Sequence, residues 1–480
     1  MHPFVILGAS AFAIALLLTP LFRNALVKWG LVDAPDHVRK LHATPVPNMG
    51  GIPIAIAYAG SFVLLRLLGP NLRGTTLGNG ILDSSLALQL LLASVLILAI
   101  GLLDDWLQLQ PLHKIAGQTL AAMVVFASGV RITGFDGVHL PLAVSFVATI
   151  VWLLACTNAF NLIDGIDGLA AGVGLFATAT TLIAALLQHN IALAAATVPL
   201  LGALIGFLRY NFNPATIFLG DSGSFLVGFL LGCFGIIWSQ KSATILGMTA
   251  PLMALSVPIL DAMLSIVRRF LRRKPIMRGD RGHVHHRLLE RGLSQRKVVL
   301  LLYLVAGIGA GFSLLVGYPS NHYAGAIILV FCAVAWIGIQ NLGYDEFEQA
   351  RRLILNGGFR RALNLQLELR TFRKALDSAT STEEAWELLV AMAKQLGFLD
   401  VRWNAGGRVY RDEFSPLIHV VWSLRIPLHE TDYVELTRGP GEDEAGLNVG
   451  AFVEAIRGGL TQPQFSRPAE VSKVHSAFRG

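Results

Sequence analysis

Asn158-Ala-Phe-Asn161-Leu-Ile-Asp164-Gly-Ile-Asp167-Gly168-Leu-Ala sets two amides and two carboxylates between two long apolar runs. Its glycines allow a tight turn and a close approach of backbone to ligand. Other polar clusters stand at the ends of other apolar runs: Asp104-Asp105, Lys114 with Gln118, Asn211 with Asn213, and Phe218-Leu-Gly220-Asp221-Ser-Gly223-Ser224. Two more are Arg39-Lys40-Leu-His42, leading to Gly50-Gly51, and Asp261 followed by Asp280-Arg-Gly-His283-Val-His285-His286-Arg287. Any single Asp here reads as loop hydration, but so dense a set reads as a site. Many carboxylates with few thiols suit a hard, oxygen-seeking cation such as Mg²⁺, with Mn²⁺ as the alternative. Glycine-rich turns and basic side chains suit phosphate groups. That combination serves transfer of a phosphoryl-type group, where positioning and charge neutralisation do most of the work. The three histidines could instead hold zinc; the surrounding carboxylates favour magnesium, with the histidines against phosphate.

Such groups need rigid elements to hold them. The chain has 480 residues, 54% hydrophobic and only 14% charged, with a mean hydropathy of +0.59. Soluble domains carry roughly a quarter charged residues, so the fold class expected is an all-α polytopic membrane protein. Eleven apolar runs approach spanning length: 4–22, 50–69, 86–103, 114–130, 141–157, 170–187, 191–208, 222–238, 245–265, 298–317 and 322–340. The first lacks a basic segment before it and is read as a retained helix with its N-terminus outside. Alternate loops starting at 23–49 carry 16 Lys and Arg, and the opposite set carries 3. The positive-inside rule puts the first set, and with it every polar cluster named above, in the cytoplasm. The net charge of +7 therefore reflects membrane topology, not nucleic-acid binding. Cys156, Cys233 and Cys332 fall inside apolar runs and read as packing residues. A transporter would place its charges near the bilayer midplane; charges gathered on one face favour a membrane-surface enzyme.

These motifs together resemble the polyprenyl-phosphate N-acetylhexosamine-1-phosphate transferase family. The resemblance covers about residues 1–340 and rests on five motifs in order: RKxH…P…GG, the DD pair, NxxNxxDGxDGLA, FLGDSGS, and PxxD…R followed by DxGHxHH. It implies transfer of a sugar 1-phosphate from a UDP-N-acetylhexosamine donor to undecaprenyl phosphate in the inner (plasma) membrane. UMP is released, and a lipid-linked glycan for O-antigen, cell wall or other surface polysaccharide is begun. It implies Mg²⁺ as cofactor, with Asp221 a direct ligand, Asp164 in the same magnesium environment, and Phe218 stacked near the uracil. By the same resemblance, Asn158, Asn161, Asp164 and Asp167 hold the nucleotide, and Asp104 and Asp105 lie near the reacting phosphates with Lys114. His283, His285, His286 and Arg287 bind sugar phosphate or diphosphate, and Arg39, Lys40 and His42 belong to the same basin. Gln108 stands where many N-acetylglucosamine-type members have an Asp, so it cannot act as an acid. His283-Val-His285-His286, in place of three consecutive histidines, resembles the N-acetylhexosamine branch more than the muramoyl-pentapeptide branch. That favours UDP-N-acetylglucosamine as donor.

Two routes are open for the chemistry: direct attack by the lipid phosphate, or prior attack by an Asp to give a covalent phosphosugar intermediate. A phosphate monoester with a second pKa of about 6 is mostly dianionic near neutral pH. The direct route then hardly needs a base, and Asp104 or Asp105 would position the acceptor. Beyond the transferase region, 1–343, the composition changes. Residues 344–461 read as a small cytoplasmic α+β domain with an unknown ligand or partner, and 462–480 as a disordered tail. An Arg-rich amphipathic helix, a capping box at Ser381-Thr-Glu-Glu384, strands near 399–404, 417–427 and 431–437, and a helix at 448–460 are expected there. Homodimerisation is left open, and a polytopic transporter of a phosphorylated solute is the alternative function.

Overall fold

The computed structural model describes residues 2–33, 45–68, 85–135, 138–239, 248–271, 282–318, 322–342, 358–414, 422–429, 431–438, 449–461 and 465. The chain divides into two compact units, Met1–Tyr344 and Asp345–Gly480. The described helices of the first unit are α1 (His2–Lys28), α2 (Gly51–Leu68), α3 (Ser85–Leu107), α4 (Pro111–Ala127), α5 (Leu142–Ile163), α6 (Leu169–Leu187), α7 (Ile191–Asn211) and α8 (Gly220–Ser239). After them come α9 (Thr249–Ala254), α10 (Ser256–Leu271), α11 (Val284–Glu290), α12 (Gln295–Gly317) and α13 (Ala324–Asn341). A short antiparallel hairpin, β1 (Gly134–Phe135) with β2 (Val138–His139), joins α4 to α5.

Among the described residues, nine helices are long and apolar enough to cross a membrane: α1, α2, α3, α5, α6, α7, α8, α12 and α13. The protein is a multi-pass membrane protein. The two other expected spans differ in form. The run at 114–130 becomes α4, only 17 residues long and opened by Pro111. The run at 245–265 breaks at Leu255 into α9 and α10. Pro258 explains the break: it has no N–H for the carbonyl of Ala254, and its ring crowds that carbonyl.

α8 is the axis of the unit. Of its most apolar stretch 94% is buried, against 6% for α13, and Phe225, Phe229, Phe234 and Trp238 are enclosed. Around it, α7 closes on α1 through small residues four apart. A Cβ at Gly206 would lie 2.7 Å from the carbonyl of Phe12, and one at Gly202 would overlap that of Gly8. Cys156 and Cys233 are buried packing residues, as their setting implied, whereas Cys332 is exposed on α13.

The second unit contains α14 (Gly358–Ser378), α15 (Thr382–Gln395), a four-stranded antiparallel sheet and α16 (Val449–Leu460). The strands β3 (Asp400–Ala405), β4 (Arg408–Glu413), β5 (Trp422–Pro427) and β6 (Tyr433–Arg438) lie in the order β4-β3-β6-β5. One face supplies Val401, Trp403, Val434 and Leu436 to a core shared with Leu369, Leu376, Leu389 and Phe452. The expected capping box is present: Ser381 Oγ accepts from Glu384 N at 3.1 Å, and Glu384 Oε2 accepts from Thr380 N at 2.8 Å. β4 was not expected from the sequence, because Arg408–Glu413 is mostly polar and exposed. The signal was the turn before it, where Gly406 and Gly407 both take positive φ, 56° and 87°, as a two-residue hairpin turn demands. Within the stretch expected to be disordered, Phe465 is buried 6.2 Å from the Trp403 ring; the rest of 462–480 lies outside the described residues.

Candidate active site

Consecutive helices reverse direction, so the C-termini of α3, α5 and α7 meet the N-termini of α4, α6 and α8 at one end of the bundle. The meeting point is the first turn of α8. Gly220 takes φ +71°, and a Cβ there would overlap the carbonyl of Asn48, so only glycine can open this helix. The next residues are gripped on two sides: a Cβ on Gly51 of α2 or Gly101 of α3 would come within 2.5 Å of the Ser222 backbone. Phe218, just before the helix, is tied to the strand-like segment 47–50, donating its N–H to Pro47 O at 2.8 Å and accepting from Gly50 N at 3.1 Å.

Asp105 fastens this terminus. Its Oδ1 accepts from Asp221 N at 2.8 Å and its Oδ2 from Ser222 N at 3.0 Å. A carboxylate so placed satisfies two of the N–H groups that a helix start leaves open, and its charge sits at the positive end of the helix dipole. The same bonds mean that α8 does not present those two N–H groups to a phosphate. Asp221, in this first turn, receives Asn161 Nδ2 on Oδ1 at 2.6 Å and lies 3.4 Å from Lys114 Nζ through Oδ2. Asn161 also reaches Ser224 Oγ at 3.2 Å. Asp104 is buried; its Oδ1 accepts from Leu109 N at 2.9 Å, and its Oδ2 pairs with Lys114. Lys114 is thus shared between Asp104 and Asp221.

A cavity of about 820 Å³ opens over these groups. Asp104, Asp105, Lys114, Asp164, Asp167, Phe218 and Asp221 line it, along with Asn48, Gln108 and Gln295. Seven of the residues singled out from the sequence therefore share one chamber. Asp164 follows α5 directly. Burial raises its carboxyl well above the ordinary range, and the negative charges of Asp221, Asp105 and Asp167 push it further, against one backbone N–H from Gly220. Six aspartates, Asp33 among them, line the cavity with one lysine, an excess of acidic groups. That donor set fits a hard divalent cation. Among the described residues no three acidic, His or Cys side chains converge as a ready-made cage.

Further contacts hold Asp167 from behind and place the other expected residues. Asn158 Nδ2 bonds Gln118 Oε1 at 2.7 Å, linking α5 to α4. Asp167 Oδ2 accepts from Asn213 Nδ2 at 2.9 Å and from Ala215 N at 3.0 Å. His283 and His285 are buried and do not line the cavity. His283 Nδ1 lies 3.0 Å from Asp261 Oδ2, and Asp261 Oδ1 accepts from Val284 N at 2.8 Å, so Asp261 caps α11. His285 packs under the acidic turn: a Cβ at Gly165 would stand 2.5 Å from its Nε2. Burial, then the charges of His286 and His283, pushes the His285 imidazole down to about 3 despite Asp261. His286 and Arg287 are half-buried on α11. Arg39, Lys40 and His42 lie outside the described residues, as do Asp280 and Arg281. The sequence reading missed Gln295, which looked like one more residue of a basic loop; the signal was Ser294, a favoured N-cap type, marking the start of α12 beside the site.

Comparison with known proteins agrees with this picture. Residues 87–239 match the family described as glycosyl transferase family 4. The chain is 33% identical over 298 residues to a probable undecaprenyl-phosphate N-acetylglucosaminyl 1-phosphate transferase of Bacillus subtilis, covering 61% of this chain and 79% of the relative. It is also 33% identical over 374 residues to the decaprenyl-phosphate N-acetylglucosaminephosphotransferase of Mycolicibacterium smegmatis, covering 72% and 90%. A phospho-N-acetylmuramoyl-pentapeptide-transferase of Staphylococcus carnosus is 28% identical over 340 residues, covering 65% and 98%. With relatives at this identity matched over most of their length, and with the acidic motifs gathered in one chamber, the chain belongs to glycosyl transferase family 4, the polyprenyl-phosphate N-acetylhexosamine-1-phosphate transferases.

Proposed function

We propose that this protein transfers N-acetylglucosamine 1-phosphate from UDP-N-acetylglucosamine to undecaprenyl phosphate, releasing UMP and starting a lipid-linked glycan. The observation that carries this reading is the carboxylate-rich chamber with Lys114 between Asp104 and Asp221. Relatives named for transfer of N-acetylglucosamine phosphate to a polyprenyl phosphate support the choice of donor and acceptor.

Asp221 and Asp164 would hold Mg²⁺, with Mn²⁺ able to replace it, and the bound ion would neutralise the donor diphosphate. Lys114 adds a fixed positive charge where charge builds on the transferring phosphoryl group. Asp105 and Asn161 hold Asp221 in place. Phe218 offers a ring face for the uracil. An oxygen of the lipid phosphate attacks the sugar-bearing phosphorus; that P–O bond forms as the P–O bond to UMP breaks, and the electron pair leaves with UMP. The anomeric C–O bond is untouched, so configuration at the sugar is kept. The direct route is supported by the state of the aspartates: Asp105 has both oxygens bound to backbone N–H groups, and Asp104 is paired on both. Neither is a free nucleophile.

The excess of Lys and Arg, 16 against 3 across alternate loops, supports a cytoplasmic chamber in the plasma membrane. We assign the second unit, also cytoplasmic, a regulatory or assembly role. Purified protein with Mg²⁺, undecaprenyl phosphate and, in turn, UDP-N-acetylglucosamine, UDP-N-acetylgalactosamine and UDP-N-acetylmuramoyl-pentapeptide tests the reading through UMP and lipid-linked product. Product from the first donor supports it; product from the pentapeptide donor alone would move the protein to the other branch. Solute uptake into vesicles with no UMP release would replace the enzyme with a transporter.

A further inference from the structure

Behind the acidic turn lies a hydrogen-bonded relay that no motif announces. Asn213 Nδ2 donates to Asp167 Oδ2 and to Gln295 Oε1, each at 2.9 Å. Arg296 Nε donates to Asn213 O at 3.1 Å and approaches its Oδ1 at 3.3 Å. Ala215 N–H adds a second bond to Asp167 Oδ2 at 3.0 Å. The first turn of α12 is thereby joined, through one amide, to a carboxylate of the nucleotide-holding turn. α12 grips that turn a second time: Tyr303 Oη donates to Gly168 O at 2.6 Å, and a Cβ at Gly172 would overlap the Tyr303 ring.

The relay is asymmetric. Both donors to Asp167 fall on Oδ2, and among the described residues Oδ1 accepts no hydrogen bond, although Asp167 lines the cavity together with Asn213 and Gln295. A carboxylate with one oxygen saturated has its rotation fixed and the other oxygen reserved for a donor that arrives. The amide of Asn213 is suited to this because its two N–H groups serve two acceptors at once, which neither Asp nor Ala at that position could do.

We propose that Asn213 and Gln295 are positioning residues for donor binding, holding Asp167 so that Oδ1 is presented to hydrogen-bond donors of the nucleotide. This rests on the transferase reading above, in which Asp167 belongs to the nucleotide end of the chamber. Loss of the relay frees Asp167 to rotate and weakens the donor before chemistry begins, so it removes binding shared by ground and transition states. The acceptor KM should then be unchanged.

The test is steady-state kinetics of the full chain with UDP-N-acetylglucosamine and undecaprenyl phosphate. Asn213→Ala should raise the donor KM about tenfold, one good hydrogen bond at 1.4 kcal/mol per decade, with kcat and the acceptor KM within twofold of the parent. Gln295→Leu, at the first residue of a helix, should shift the donor KM in the same direction by less. In a double-mutant cycle, Asn213→Ala should add nothing further once Asp167→Asn is present. A donor KM unchanged in both single variants, equal losses in kcat and acceptor KM, or effects that multiply in the cycle would each overturn the proposal. If the parent protein itself releases no UMP, the transferase reading fails instead, and the two failures are told apart by that control.

Discussion

Replacing Asp105 by Asn separates a fastening role from a chemical one. In the structure both oxygens of Asp105 accept backbone N–H groups, at 2.8 and 3.0 Å. The Asn side chain keeps one oxygen and turns an NH₂ toward the second N–H. If the surviving bond is to Asp221, the N–H of buried Ser222 loses its partner, at a cost of about 1–3 kcal/mol. Loss of the negative charge at the start of α8 removes roughly 0.3–1 kcal/mol more. Passed on to the placement of Asp221, a total of about 1.3–4 kcal/mol lowers kcat/KM by roughly 10- to 1,000-fold. UMP release, followed with saturating lipid phosphate and varied UDP-N-acetylglucosamine, should give a value in that window, and Asp105→Ser, which retains a capping oxygen, should fall nearer the parent than Asp105→Ala. Removal of a nucleophile behaves differently, with losses on the order of a millionfold. A folded Asp105→Asn protein with no detectable turnover would refute the fastening role, and so would one as active as the parent.

Asp221→Ala should abolish UMP release at every Mg²⁺ or Mn²⁺ concentration while leaving the elution profile unchanged; full activity would remove Asp221 from the metal assignment. His285 should be neutral at working pH, since its folded value of about 3 lies below the unfolded 6.5. The unfolded chain takes up the proton first, so stability is complete above about pH 6.5 and declines as pH falls toward 3. Between pH 6.5 and 5 that amounts to roughly 2 kcal/mol. The thermal midpoint of the parent should therefore drop more steeply over this interval than that of His285→Gln, and parallel curves would count against the buried neutral ring. A chain ending at residue 344 should keep transferase activity in membranes; complete loss from a folded, inserted product would make the second unit part of the catalytic machinery.

Much of the chamber was legible because its chemistry is carried by residue types that are costly in a membrane protein. Asp104, Asp105, Asp164 and Asp221 stand out against an apolar background, and the alternation of helices dictates that they meet. What each carboxylate does was not legible. Asp104 and Asp105 are adjacent in sequence, yet one is paired with Lys114 and the other caps a helix that begins 115 residues later. That division depends on how α3 rotates against α8, which is decided by the close contact at Gly101 and not by the aspartates themselves. The packing of the histidines was not legible either: their types suggested contact with phosphate, and the structure places His283 against Asp261 and His285 against the acidic turn. The division of the run at 245–265 was foreshadowed by Pro258, and the hairpin before β4 by two consecutive glycines.

The burial of α8 bears on how the bilayer can act on the enzyme. A helix exposed to lipid answers to mismatch between its apolar length and the bilayer thickness by tilting or bending. α13, almost wholly exposed, is the span most open to that influence, whereas α8 is enclosed by its neighbours along 94% of its apolar stretch. Deformation from a thinner or thicker membrane must cross a full layer of helices before it reaches Asp221. The aspartate is thus mounted on the mechanically quietest part of the molecule. Along α8, substitution is limited by side-chain volume against α2, α3, α5 and α6 and hardly at all by preference for lipid, while the outer spans have the opposite freedom.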